Sequence, residues 1–238
     1  MRRFCAHRGL PVGFPENTIP SFAAAIALGA DEIEFDVRIT KDRELAVSHD
    51  AALGRLSGGS EEIASLTMEQ LRAVKLGEVD GLPIGYCSAE DVFARFANQA
   101  VFNIHVKNAG EDGYPIKELL RLIETYGAQR TVYFAGVARE LAFMQRLAPE
   151  IPRVAIQTQR TPEDIVGMAR EYGCTGIQFW SERMRPEMID EAHGCGMLCN
   201  FFHADDAEGF RKYYAMGIDT ILTNRMDLAA SYLRGEHT

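Results

Sequence analysis

The sequence predicts an α/β fold, a TIM-type (β/α)8 barrel, and three observations carry that expectation. Short apolar runs alternate with amphipathic helical stretches along nearly the whole chain, eight such runs can be counted, and 238 residues is near the usual size of one such barrel. Strand–helix alternation implies parallel pairing through crossover helices. Eight units favour closure over an open doubly wound sheet of the same elements, which is the alternative architecture.

The strands are expected near Arg3–Ala6, Glu32–Ile39, Val101–Lys107, Thr131–Phe134, Arg153–Gln157, Gly176–Phe179, Leu198–Phe202 and Thr220–Thr223. Between them apolar residues recur at helical spacing, as at Ile116, Leu119, Leu120 and Ile123. Pro162 and Pro186 stand where a first helical turn accepts proline, with Thr161 as an N-cap. Gly29, Gly127, Gly173 and Gly217 follow helical stretches, as C-terminal caps do. Residues 51–88 break the rhythm with Gly58-Gly59, a short helical stretch at Met68–Val74 and Gly81-Leu82-Pro83. They read as an insertion after the second strand, within one domain spanning residues 1–238.

Lys and Arg total 25 against 34 Asp and Glu, a formal charge of −9. That balance argues against a nucleic-acid or anionic-membrane surface, both of which need clustered positive charge. No apolar run approaches the ~18 residues that span a bilayer. The basic start, Met1-Arg2-Arg3, lacks the apolar segment of a signal peptide. The five cysteines are odd in number and read as reduced thiols, so the expected compartment is the cytoplasm.

Chemistry concentrates at strand ends. In Glu32-Ile33-Glu34-Phe35-Asp36-Val37 the period of two puts Glu34 and Asp36 on one face. Two carboxylates aimed into a barrel repel each other unless a cation lies between them, and a divalent metal suits. The plainer alternative is a solvated edge strand with Ile33, Phe35 and Val37 packed behind. On the next strand His105 and Lys107 share a face, so His105 is either a third ligand or a hydrogen-bonded core residue. Lys107 is positioned for an anion. His7-Arg8 and His49-Asp50 close two further apolar runs. Phosphodiester hydrolysis takes one proton from the attacking oxygen and gives one to the leaving alcohol, and imidazole suits both tasks. The Arg8 guanidinium matches phosphate oxygens.

In order along the chain, Ala6-His7-Arg8-Gly9, Pro15-Glu16-Asn17-Thr18, Gly29–Val37, Thr40-Lys41-Asp42 and His49-Asp50 resemble the glycerophosphodiester phosphodiesterase family. Weaker likeness continues through Asn103–Lys107 and Gly217–Asn224, so it covers residues 5 to about 228. The resemblance implies a (β/α)8 barrel that hydrolyses glycerophosphodiesters to glycerol 3-phosphate and an alcohol with one divalent metal ion, usually Mg or Ca. It implies Glu34 and Asp36 as metal ligands, and His7 and His49 as the acid–base pair. Arg8 and Lys107 would hold phosphate, with Glu16 and Asn17 as supporting groups. Departures are His105 where the family commonly has Glu, Phe202 in place of a tryptophan, and Asn224 in place of Asp. An imidazole ligand favours Mn, Co or Zn over Mg and Ca. Phe202 keeps an aromatic wall for glycerol but lacks an indole donor.

The His193/Cys195/Cys199/His203 spacing lacks the paired cysteines of structural zinc sites and is discounted. Asp205-Asp206 reads as a solvated pair opening a helix, and Trp180 as either mouth lining or packing. The competing functions are a lysophospholipase D, which would need an apolar channel, and a non-catalytic phosphoester-binding barrel.

Overall fold

The computed structural model of the protein describes residues 3–236; Met1 and Arg2 of the basic start lie outside them, as do the last two residues. The chain runs β1 (Arg3–His7), α1 (Ile19–Ala27), β2 (Glu32–Ile39), β3 (Leu45–Val47), α2 (Gly54–Ser57), α3 (Met68–Ala73), β4 (Gly77–Val79), β5 (Leu82–Ile84) and α4 (Ala89–Phe96). It continues β6 (Val101–Val106), α5 (Tyr114–Thr125), β7 (Val132–Gly136), α6 (Ala138–Leu147), β8 (Arg153–Ile156) and α7 (Ile165–Glu171). The last turns are β9 (Gly176–Trp180), α8 (Pro186–Gly194), β10 (Leu198–Phe202), α9 (Ala207–Ala215), β11 (Thr220–Thr223) and α10 (Met226–Leu233). Around the sheet β2, β6, β7, β8, β9, β10 and β11 pair in parallel, and β1 pairs with both β11 and β2, which closes the eight-stranded barrel.

The period-two pattern of β2 sorts its side chains between two cores. Ile33, Phe35 and Val37 are buried outward, against the helices. There Phe35 meets Phe22 and Phe102 edge-on at 5.8 and 5.6 Å, and Phe93 continues the row 5.1 Å from Phe102. Each such side chain contributes about 1.5–3 kcal/mol by leaving water, so this outer layer holds the fold. The inner face is polar instead: Glu32, Glu34 and Asp36 are all buried. At its base Tyr133 Oη donates to Glu32 Oε2 at 2.6 Å and accepts from Asn200 Nδ2 at 3.2 Å, with Arg3 Nη1 3.5 Å from Glu32.

All eight expected strands form, with ends shifted by at most two residues. The four capping glycines have positive φ, which only the absence of a Cβ makes easy. One expected cap is wrong. α7 begins at Ile165, capped by Asp164 accepting from the Gly167 amide, because the Thr161 hydroxyl is spent on the Thr158 carbonyl in a tight turn. Residues 51–88, the expected insertion, are ordered together with β3 just before them. β3 pairs antiparallel with β2, β4 and β5 form a hairpin, and Ala46, Leu53, Ile63, Met68, Leu71 and Tyr86 make a small core. Among the described residues no helix is long and apolar enough to cross a membrane.

Candidate active site

The C-terminal ends of the barrel strands open into a cavity of about 700 Å³. His7, Arg8, Glu34, Asp36, His49, His105, Lys107 and Phe202 all line it. Parallel register puts His7 beside Glu34 and Asp36 beside His105, so ladder geometry alone gathers residues distant in sequence. Glu16 and Asn17 stand just behind. Asn17 Nδ2 donates to Asp36 Oδ2 at 3.1 Å, and Glu16 accepts from Arg8 Nη1 at 2.9 Å.

Lys107 Nζ lies 2.8 Å from Asp36 Oδ1 and 2.9 Å from His105 Nδ1, and Arg8 Nε lies 3.5 Å from Asp36 Oδ2. Burial pushes the Asp36 carboxyl up, but Lys107, His105 and Arg8 outweigh it and hold the group well below the carboxylate range. Glu34 moves the other way, raised by burial and by the charge of Asp36. The pair therefore carries less negative charge than two free carboxylates would.

Asp36 Oδ1 is held by the ion pair with Lys107, whereas Glu34 Oε2 is buried without a hydrogen-bond donor. Buried acceptors are rarely left so. Donor atoms of Glu34, Asp36 and His105 all lie within 4.8 Å of one another, which fits one cation. Two carboxylates and one imidazole form a mixed O,O,N set, acceptable to Mg but better matched to Mn, Co or Zn.

The two other imidazoles are each oriented by a partner. His7 Nδ1 sits 2.7 Å from Asn224 Oδ1, while Asn224 Nδ2 donates to Asp205 Oδ2 at 2.9 Å. With the amide nitrogen committed to Asp205, the amide oxygen faces His7. Nδ1 therefore carries the hydrogen, and Nε2, 3.9 Å from Glu34 Oε2, holds the free lone pair. Burial, then Arg8, depresses His7 to about 3, so it is neutral near pH 7. His105 falls to about 4 through burial and Lys107. His49 Nδ1 is 2.8 Å from Asp50 Oδ1, and burial lowers its pKa too. The Phe202 ring stands edge-on to His7 at 4.7 Å.

Some functional neighbours escaped sequence reasoning. Asp205 is not the solvated acid expected, because it accepts from Thr223 Oγ1, the Asn224 amide and Asn224 Nδ2; only Asp206 behaves as expected, capping α9. Arg55 bonds both Glu16 and Asp50, tying the Arg8–Glu16 pair to the His49 loop. Trp180 lines the cavity. Of the discounted zinc pattern, His193 and the Cys199 amide both meet Asp219 Oδ2, whereas His203 pairs with Asp205.

Buried acids, a cation-ready gap and the neutral imidazoles of His7 and His105, with His49 beside them, at the C-terminal mouth of a (β/α)8 barrel define a barrel hydrolase. Residues 7–228 match the glycerophosphoryl diester phosphodiesterase family. The chain is 27% identical over 240 residues to a glycerophosphodiester phosphodiesterase of Caldanaerobacter subterraneus subsp. tengcongensis, covering 96% of each. It is 43% identical over 237 residues to a Bacillus subtilis protein named "Putative glycerophosphodiester phosphodiesterase YhdW", covering 93% of this chain and 94% of that one. Its fold is shared with an Oleispira antarctica phosphodiesterase solved with the product sn-glycerol-3-phosphate, at TM-score 0.87 and 19% identity, over 97% and 96% of the two chains. The protein belongs to the glycerophosphoryl diester phosphodiesterase family and is a phosphodiester hydrolase.

Proposed function

We propose that the protein hydrolyses glycerophosphodiesters to glycerol 3-phosphate and an alcohol, with one divalent metal and a His7/His49 acid–base pair. The observation that carries this reading is the convergence of Glu34, Asp36 and His105 donor atoms within 4.8 Å of one another, Glu34 Oε2 lacking any hydrogen-bond donor, in one cavity with His7 and His49. The likeness to named glycerophosphodiesterases supports the substrate, and a product complex of a fold relative agrees with it.

Glu34, Asp36 and His105 would hold the metal, which when bound offsets charge on the phosphoryl oxygens. Arg8 and Lys107 orient the phosphate, each already placed against Asp36. His7, neutral with Nε2 free, takes the proton from the attacking hydroxyl, of water or of the glycerol itself. In the second case a cyclic phosphodiester results, and water then opens it to glycerol 3-phosphate as the proton is returned to the ring oxygen. As the new P–O bond forms, the bond to the leaving alcohol breaks, and His49 gives that oxygen its proton. Asp50 on Nδ1 stabilises the charged imidazole before that transfer. Phe202 offers the glycerol carbons an apolar face.

The test is release of glycerol 3-phosphate from a panel of glycerophosphodiesters by chelator-stripped protein, with metals returned singly. Turnover restored by metal supports the reading. Absence of turnover with every diester and every metal overturns it in favour of a binding barrel.

A further inference from the structure

Across the barrel from β1, the cavity wall is built by the segments that follow β7, β8 and β9. Arg139, Gln157, Gln159 and Arg160 line it there. Among the described residues, Glu34 and Asp36 are the only carboxylates in the whole lining, and both stand on β2, away from this wall. Resting on the reading above, we propose that this wall receives the alcohol half of the diester and selects a neutral polyol or an anionic alcohol over a cationic ammonium alcohol, through Arg139 and Arg160.

The wall is a built surface. Arg183 Nη1 donates to the Thr158 carbonyl at 2.8 Å, to Thr161 at 2.7 Å and to Gln159 at 3.2 Å, which clamps the loop presenting Arg160. Arg139 Nη2 is anchored on the Gly110 carbonyl at 3.0 Å, which leaves the rest of its fork for a ligand. Arg139 and Arg183 are thus anchored on carbonyl oxygens and the Thr161 hydroxyl, and Arg139 also acts on the charge of the neighbouring Glu140. No carboxylate pairs with Arg160 among the described residues. In a chain with nine more acids than bases, the wall facing the catalytic groups is therefore positive.

An ammonium head group would need carboxylates or an aromatic cage there. Trp180 and Phe202, adjacent in register, supply two rings. Cation–π contact at an open site is weak, and two nearby guanidinium groups oppose it. Gln157 Oε1 accepts from the Trp180 amide at 3.2 Å and its Nε2 donates to Met188 Sδ at 3.7 Å, so Gln157 braces the wall and the guanidinium groups are left to meet the ligand.

The experiment compares kcat/KM of metal-loaded protein for glycerophosphoglycerol and glycerophosphoinositol against glycerophosphocholine and glycerophosphoethanolamine. The expected preference for the first pair is about tenfold, the scale of one partly screened charge interaction, and it shrinks as salt rises. In R160E and R139E the preference falls or inverts. R160Q gives a smaller change in the same direction, and R146E on the outer face of α6 gives none. Equal turnover of all four diesters, indifferent to the Arg160 and Arg139 variants, overturns this inference and leaves the proposed activity standing. No turnover of any diester removes the proposed activity itself, and this inference with it.

Discussion

Replacing His105 with Glu separates a metal ligand from a bystander. His105 Nδ1 lies 3.3 Å from Asp36 Oδ1 and 2.9 Å from Lys107 Nζ. A carboxylate there meets one like and one opposite charge at similar range. With an effective dielectric near 20, each is worth about 4 kcal/mol at about 4 Å, so the two largely cancel. Metal-free H105E therefore stays folded, within about 2 kcal/mol of the parent. For a bound dication there is no such cancellation, because the substitution adds a hard, charged oxygen and removes a borderline nitrogen. Affinity for Mg or Ca rises at least tenfold, about 1.4 kcal/mol, and the ratio of Mn to Mg affinity falls by at least as much. Calorimetric titration of chelator-stripped proteins reads both quantities, and the rise in Tm at saturating metal checks them. The parent should bind Mn, Co or Zn more tightly than Mg or Ca. If it prefers Mg or Ca, or if H105E leaves the ratio unchanged, His105 is not a ligand.

Three further outcomes are expected. Y133F strips the buried Glu32 carboxylate of its 2.6 Å donor and leaves Asn200 unpaired; urea unfolding should show a loss of about 2–4 kcal/mol, and a loss under about 0.5 would contradict the role of that network. His7 is depressed to about 3 by burial and Arg8, while the unfolded imidazole titrates near 6.5. Below about pH 6.5 the unfolded chain takes up a proton that the folded one refuses, so this group alone costs up to about 1.4 kcal/mol per pH unit as pH falls toward about 3. H7Q, measured without metal, should therefore gain stability relative to the parent between about pH 6.5 and 4; a pH-independent gap would show His7 to be less shielded than the structure has it. Gly9 has φ +89, and an added Cβ would run into Ser21, whose hydroxyl accepts from the Leu10 amide. G9A should cost more than about 2 kcal/mol and lower turnover by displacing Arg8; a variant of parental stability and rate would refute the fit.

The barrel was legible because its pattern is repeated and local: each β-strand carries its own period, and β2 displays the paired acids within three consecutive residues, Glu34-Phe35-Asp36. What the sequence concealed depends on closure. Leu45-Ala46-Val47 is too short for periodicity to mark, and becomes a strand only because Val37 and its neighbours offer an antiparallel edge. Asp205 looks like surface charge until β10 and β11 pair and bring Asn224 over it. That pairing also explains how Asn can stand where Asp was expected, since the amide passes the orienting influence of Asp205 to His7. Arg55 carries no motif at all; its link between Glu16 and Asp50 exists only once the 48–88 segment packs over the mouth. The Thr161 cap failed for a related reason, a side chain captured by a nearer turn.

Whether His7 and His49 move protons, or only line a pocket that binds phosphoesters, is decided by measuring metal affinity and glycerophosphodiester turnover side by side in H7A and H49A. Both variants should keep the parental metal affinity within a few-fold, because neither residue belongs to the Glu34/Asp36/His105 set. Each should lose at least about a hundredfold in kcat, the usual scale of a positioned acid or base. Parental kcat in either variant, with the metal still bound, would contradict the acid–base assignment directly.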